Sequence, residues 1–300
     1  MTAAAPLTVD QYLEALRSAL RGADPALVQD ALFDAEEHLR AELAQHPGTD
    51  ETSMLAKIVG SYGAPDEVAD AYRVNEAKIQ KALRTPVPRP HESTLGRFFG
   101  VFLDPRAYLC LVYLLLSLVT GTAYFTFATI GLSMSLGLAI LIVGVPFFLA
   151  FIGIARVVAL AEGRIVESLL GVRMPRRPPY RDVGTPFWRR VVEMLKDPRT
   201  WSTLLYLLLM LPLGLFYFVF AVVGLVISIV TVIAPIFMLL YYAGVVEIDG
   251  VVSGPHPALL PLVSILGILL LTITMHFARG LGHLHGQLAR TLLVQARAPS

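Results

Sequence analysis

A mean hydropathy of +0.65 and a charged fraction of only 16% across 300 residues exclude an ordinary soluble domain. The net charge of +1 hides two opposite parts: residues 1–94 carry 9 Lys/Arg against 15 Asp/Glu, and residues 95–300 carry 15 against 8. An acidic first part argues against direct nucleic-acid binding, and a single cysteine, Cys110, excludes a disulfide framework.

The first residues lack the basic start and continuous apolar core of a secretion signal. Residues 1–84 read instead as a cytoplasmic helical domain. Thr8 and Gln11 fit a capping box, Val9, Leu13, Leu16 and Leu20 form a helical stripe, and Gly22 suits a C-cap. Asp24-Pro25 opens a second helix with Leu27, Ala31, Ala35, Leu39 and Leu43 on one face, ended by Pro47-Gly48. A short third helix is expected over 51–59. A fourth comes after the turn before Pro65, with Val68, Ala69 and Tyr72 as packing residues and Asp66 and Glu67 at its positive end. The stretches "YLEALRSAL", "DALFDAEEHL" and "GAPDEVADAY" together resemble the HAAS family, small helical bacterial modules often encoded beside PadR-like regulators. That resemblance implies a signalling role and a regulatory protein as partner.

Residues 85–94, with three prolines in "TPVPRPHES", read as a semi-rigid linker. The segment "LGRFFGVFLD" then sets Phe98, Phe99, Phe102 and Leu103 beside Arg97, which suits a short helix at the membrane surface or the first turns of a spanning helix.

Residues 107–155 and 200–246 contain no Asp, Glu, Lys or Arg. Each run exceeds the roughly 20 apolar residues that cross a bilayer once. The runs begin alike: "DPRAYLCLVYLLLSLVTGTAYF" at Asp104 and "DPRTWSTLLYLLLMLPLGLFYF" at Asp197, an offset of 93. In each, Asp104 or Asp197 caps a helix, Pro105 or Pro198 takes its first position, and Arg106 or Arg199 reaches headgroups. A later pair, "ARVVALAEGRIVESLL" from Ala155 and "ARGLGHLHGQLARTLL" from Ala278, matches at an offset of 123. The second half therefore holds about 30 additional residues by comparison of the two offsets, including Asp249-Gly250 as a hairpin signal.

The fold class expected is all-α: a cytoplasmic bundle, then four spans made of two repeated helix pairs. The first pair occupies 95–180, with spans near 107–129 and 135–159. The second occupies 181–300, with spans near 202–223 and 257–277. The apolar stretch 225–242 is placed in a re-entrant or extracytoplasmic insertion over 224–256, broken at Pro235. Basic residues flank the runs on one side only, which sets both termini in the cytoplasm of a bacterial inner membrane. The second "DPR" stretch, "LIVGVPFFLAFIGIARVVALAEGRIVESLLGV" and the longer outer connection resemble the bacterial Sensor family of membrane domains. The kinase often attached to such domains is missing, so the resemblance implies output through the N-terminal bundle.

No spacing supports a catalytic centre, a cofactor or a metal site; His276 and His283 share a face, but no second cluster of ligands accompanies them and His285 points elsewhere. Glu162, with Arg164 beside it, corresponds to His285 in the second copy, and the two are expected either to pair or to sit solvated at the interface. Arg156 and Arg279, at matched positions, are expected either to anchor in headgroups by snorkelling or to recognise an anionic lipid. Tyr113, Tyr124, Tyr206 and Tyr217 either line a ligand groove between the halves or pack between helices. The basic stretch 173–181 faces membrane lipid or the acidic bundle. Set beside these features, the two resemblances imply a non-enzymatic membrane sensor that relays a lipid-like or extracytoplasmic signal. Its partners would be lipids, a cytoplasmic protein and a second copy of the chain. The alternative is a transporter of lipid or small amphiphiles, or a subunit of one, since repeated halves also build transport folds.

Overall fold

The computed structural model describes residues 7–46, 51–83, 93–140, 144–175, 192, 195–245 and 256–294. The hairpin expected at Asp249-Gly250, all but the end of the proline linker, and the part of the basic stretch from Arg176 on lie outside these residues. Among the described residues every regular element is helical.

The N-terminal helices are α1 (Val9–Ala19), α2 (Pro25–Gln45), α3 (Glu51–Tyr62) and α4 (Pro65–Leu83). Their starts are chemically marked. Thr8 Oγ1 accepts from the Gln11 N–H at 3.2 Å and Asp24 Oδ1 from that of Ala26 at 2.9 Å, each satisfying a donor that the first helical turn leaves open. Gln11 Oε1 reaches back one residue further than a capping box requires, to the Leu7 N–H. Tyr12, Leu16 and Leu20 of the first helix and its exit pack with Ala31, Ala35, Leu39, Leu55, Ile58, Val68 and Ala69 into one core. Each leucine so enclosed contributes about 1.5–3 kcal/mol. Small residues on α2 let α1 and α4 approach it. Tyr12 also donates to the Gly63 carbonyl at 2.9 Å, which fixes the turn before α4 where Gly63 has a φ of +113°.

Next come a short helix α5 (Thr94–Phe99), which runs into a 3₁₀ turn (Gly100–Leu103), and four long helices: α6 (Pro105–Gly137), α7 (Gly144–Leu170), α8 (Pro198–Tyr242) and α9 (Leu260–Leu293). Among the described residues, four helical stretches are long and apolar enough to cross a membrane: Pro105–Ile140, Gly144–Leu170, Pro198–Tyr242 and Pro257–Leu293. The basic segments expected after the second and fourth spans are helical continuations of them, out to Leu170 and Leu293.

The insertion is where the sequence reading needs correction. Residues 225–242 are neither a separate span nor a re-entrant piece, because α8 is one helix of 45 residues that carries Pro212 and Pro235 inside it. A proline removes one backbone hydrogen bond. A break in lipid would strand several N–H and C=O groups with no water to take them, so continuing the helix is the cheaper solution. At 1.5 Å per residue α8 is about 67 Å long, roughly twice the 30 Å of a hydrocarbon core. The helix therefore runs on past the end expected for the third span near residue 223.

The chain divides into two compact units. One comprises Met1–Arg84, Gly131–Tyr206 and Leu288–Ser300, and the other Thr85–Ile130 and Leu207–Gln287. In the first, the N-terminal bundle belongs with α7, the start of α8 and the end of α9. In the second, α6 and α8 meet at a reciprocal close approach. A Cβ on Gly121 would collide with the Met210 carbonyl, and one on Gly214 with the Ser117 carbonyl. Each glycine thus meets the carbonyl four residues before the other's, the intimate backbone contact that small residues permit between membrane helices. Ser117 Oγ donates to the Leu114 carbonyl at 2.6 Å and also reaches the Gly214 carbonyl at 3.3 Å. In the same unit Gly267 packs against the Val232 backbone and Gly224 against Thr274.

Candidate functional site

In the first unit, α7 ends at Leu170, Gly171 turns the chain with a φ of +70°, and Arg173 is carried back against the N-terminal bundle. Its guanidinium is shared by three carboxylates. Nη2 lies 2.9 Å from Asp30 Oδ2 on α2, Nε 3.0 Å from Glu76 Oε1 on α4, and Nη1 3.2 Å from Glu167 Oε1 on α7. The Glu76 contact is an ion pair by distance without an aligned N–H···O bond. Nη1 also donates to the Met174 carbonyl at 3.0 Å. All four side chains are 8–11% exposed, so these are buried charges rather than surface pairs. A planar fork with several donors is the side chain that can serve three acids at once. One turn along α2, Asp34 Oδ2 accepts from Tyr72 at 2.9 Å. Burial, then this hydrogen bond, raises the Tyr72 hydroxyl well above its usual pKa, so it stays a donor.

A second tie is looser: Arg290 near the end of α9 lies 3.1 Å from Asp24, the cap of α2, with the arginine 43% exposed. Together the two ties place the bundle's α2 and α4 against the ends of two long apolar helices.

Asp104 and Asp197 act as the helix caps that the sequence suggests. Each Oδ1 accepts at 3.0 Å from the second following N–H, of Arg106 and Arg199, while Pro105 and Pro198 take the first helical positions. The other carboxylate oxygens bind Arg279 at 3.0 Å and Arg156 at 3.1 Å. Arg156 and Arg279 thus ion-pair with the caps besides any headgroup role. Arg156 also donates to Thr200 Oγ1 at 3.2 Å.

Glu162 and His285, proposed from the sequence as partners or as solvated residues, are both fully buried, and each hydrogen-bonds to a tyrosine. Tyr206 donates to Glu162 Oε1 at 3.0 Å in the first unit. In the second, the Tyr113 hydroxyl is 2.6 Å from His285 Nε2 and that of Tyr217 is 3.4 Å from Nδ1. These contacts correspond at the offsets of 93 and 123: Asp104–Arg279 with Asp197–Arg156, and Tyr113–His285 with Tyr206–Glu162. Each joins the second helix of one sequence pair to the first helix of the other.

Of the four tyrosines suggested for a groove, Tyr113, Tyr206 and Tyr217 are buried in these bonds and Tyr124 is half-buried. Arg164 is exposed. His276 and His283, weighed from the sequence as metal ligands, have separate settings: His276 Nε2 lies 2.9 Å from the Phe98 carbonyl oxygen, and His283 Nε2 lies 2.8 Å from Gln287 Nε2. Among the described residues no group of three His, Cys, Asp or Glu is placed to hold a metal.

The sequence reading missed Asp30, Glu76 and Glu167. The available signal was position: Asp30 and Asp34 flank Ala31 and Ala35, on the side of α2 that turns inward. A carboxylate there requires a buried partner.

A family model described as "HAAS" matches residues 11–71, and one described as "Putative sensor" matches residues 113–293. No curated protein and no solved structure matches the chain. The second match covers more than half of the chain and all four long apolar helices in whole or part, and the first lies on the bundle that Arg173 holds. The chain belongs to the Sensor family, with a HAAS domain ahead of its membrane helices.

Proposed function

We propose that this protein is a non-enzymatic membrane sensor, in which the long helices perceive a signal and the HAAS domain relays it to a regulatory protein in the cytoplasm. The observation that carries the reading is the Arg173 cluster. Its guanidinium joins α2 and α4 of the HAAS domain to the end of α7, so a shift of that helix end alters what holds the domain. A signal that favours one arrangement of the helices shifts the population by its differential affinity. We read the corresponding contacts at offsets of 93 and 123 as two duplicated halves, with both termini on the cytoplasmic side of a bacterial inner membrane. The one-sided basic residues support that orientation. The HAAS family's association with PadR-like regulators makes such a regulator the partner we propose.

The test uses the purified full chain and a purified PadR-like regulator. Binding is expected, lost when residues 7–84 are deleted and changed by Arg173→Gln. Reconstituted in liposomes with fluorescent lipid, the protein is expected to leave the lipid in its original leaflet. Rapid lipid movement by the protein alone would replace the sensor with the transporter.

A further inference from the structure

We propose that the segment Thr94–Leu103 is a seat for anionic lipid headgroups, which makes the surface charge of the adjoining leaflet a stimulus for this protein. The seat stands without the sensor reading; only the consequence of filling it rests on that reading.

The segment has two distinct faces. Ser93 Oγ caps it, accepting from the Gly96 N–H at 2.9 Å. On the inner face the Phe98 ring stacks on His276 of α9, with centroids 5.5 Å apart, and the Phe98 carbonyl meets His276 Nε2. Val101 is buried with Met275 of α9 and Ala107 of α6. The inner face is therefore fixed to α9. On the outer face Leu95, Phe99 and Leu103, spaced four residues apart, are 71%, 36% and 68% exposed. Leu95 and Phe99 share one side of α5, and Leu103 follows in the 3₁₀ turn. Tyr108, Val112 and Val119 on α6, the apolar helix that follows, are also exposed.

Charge selects the kind of lipid. Arg97 and Arg106 are exposed, and the Arg279 side chain is 53% exposed. Among the described residues of the segment and the start of α6, the acid is Asp104, which is buried, with Oδ1 on the Arg106 N–H and Oδ2 on Arg279. The segment and the start of α6 thus expose apolar side chains together with guanidinium groups, the composition of a helix lying at an anionic interface. Each arginine close to such a surface is worth roughly fivefold in partitioning. Contact with α9 gives the seat a route inward, because the same helix runs on to Arg290 and its bond to Asp24 of the HAAS domain.

The test uses the full chain with Cys110→Ala and single cysteines at Leu95, Arg97 or Phe99, each carrying a nitroxide, in nanodiscs of phosphatidylcholine with and without phosphatidylglycerol. Collisions with oxygen and with a water-soluble nickel complex report depth. Labels at 95 and 99 are expected to favour oxygen, more strongly with phosphatidylglycerol, and the label at 97 to favour nickel. Arg97→Gln with Arg106→Gln should remove most of the lipid difference at 99. Nickel-accessible labels at 95 and 99, labels shielded from both probes by protein, or equal depth in both lipids would each overturn the proposal. If the seat ignores lipid charge while deletion of residues 7–84 still abolishes regulator binding, the seat fails and the relay stands. The opposite pair of results removes the relay alone.

Discussion

Replacing Arg173 with glutamine removes the guanidinium that Asp30, Glu76 and Glu167 share, and leaves three carboxylates within reach of one another at 8–11% exposure. Breaking a buried pair by deleting one partner costs about 3–5 kcal/mol, chiefly because the remaining charge has lost both water and counter-ion. At 1.36 kcal/mol per tenfold, the ratio of docked to undocked HAAS domain should fall by a factor between about 10² and 10⁴. Spin labels at Glu37→Cys and Arg164→Cys, both exposed positions, in a Cys110→Ala background would read docking as a distance distribution. One narrow population is expected with Arg173, and a broad one with Arg173→Gln. Adding Glu76→Gln should narrow it in part by removing one of the stranded charges. Arg173→Lys should fall between, since an ammonium offers a point charge rather than a fork. Arg17→Gln is the control, because its pair with Glu14 is 52% and 65% exposed and such pairs contribute about 1 kcal/mol or less. An unchanged narrow distribution in Arg173→Gln would refute the reasoning that this cluster holds the domain.

The reciprocal glycine contact makes Gly121→Ala or Gly214→Ala costly, by about 1–3 kcal/mol as for other overpacked sites, because the obstructing atoms are backbone. Gly137→Ala, whose Cβ would meet nothing within 4 Å, should leave the melting temperature in detergent unchanged or raise it. Tyr206→Phe deletes the donor to buried Glu162 and should destabilise by about 1–3 kcal/mol, measured by denaturant unfolding in detergent. In the HAAS domain, burial raises Tyr12 and Tyr72 above the ordinary tyrosine value of 10.0. Their folded pKa exceeds the unfolded one, so the stability they contribute is complete below pH 10.0 and fades as pH rises beyond it. Tyr12→Phe with Tyr72→Phe should flatten that alkaline loss in the domain's melting transition, and an equally steep loss in the double variant would contradict the assignment.

Much of the architecture could be read from local features. Uncharged runs from Ala107 and Thr200 announce membrane helices because a bilayer core excludes charge, and Asp-Pro-Arg marks a helix start through backbone chemistry that needs no neighbour. The stripes of α1 and α2 came from a period of 3.6 residues, although Tyr12 rather than Leu13 took the fully buried place. The end of α8 was not legible, since hydropathy reports what lipid tolerates and not whether a helix passes through Pro235.

Which polar groups meet is a different kind of information. Glu162 and His285 correspond in sequence, yet a match at an offset relates residues by likeness, and contact requires that two surfaces be brought together. Their tyrosines come from helices 44 and 172 positions away. Arg173 lies 143 positions from Asp30 and could have served lipid as well as protein. Sequence by itself determined which segments are apolar, where helices begin and which part carries the negative charge, because these depend on spacing along one chain. Only the tertiary structure decided that one arginine after α7 binds acids from two helices of the bundle, because a buried charge takes the partners that packing brings within about 3 Å of it.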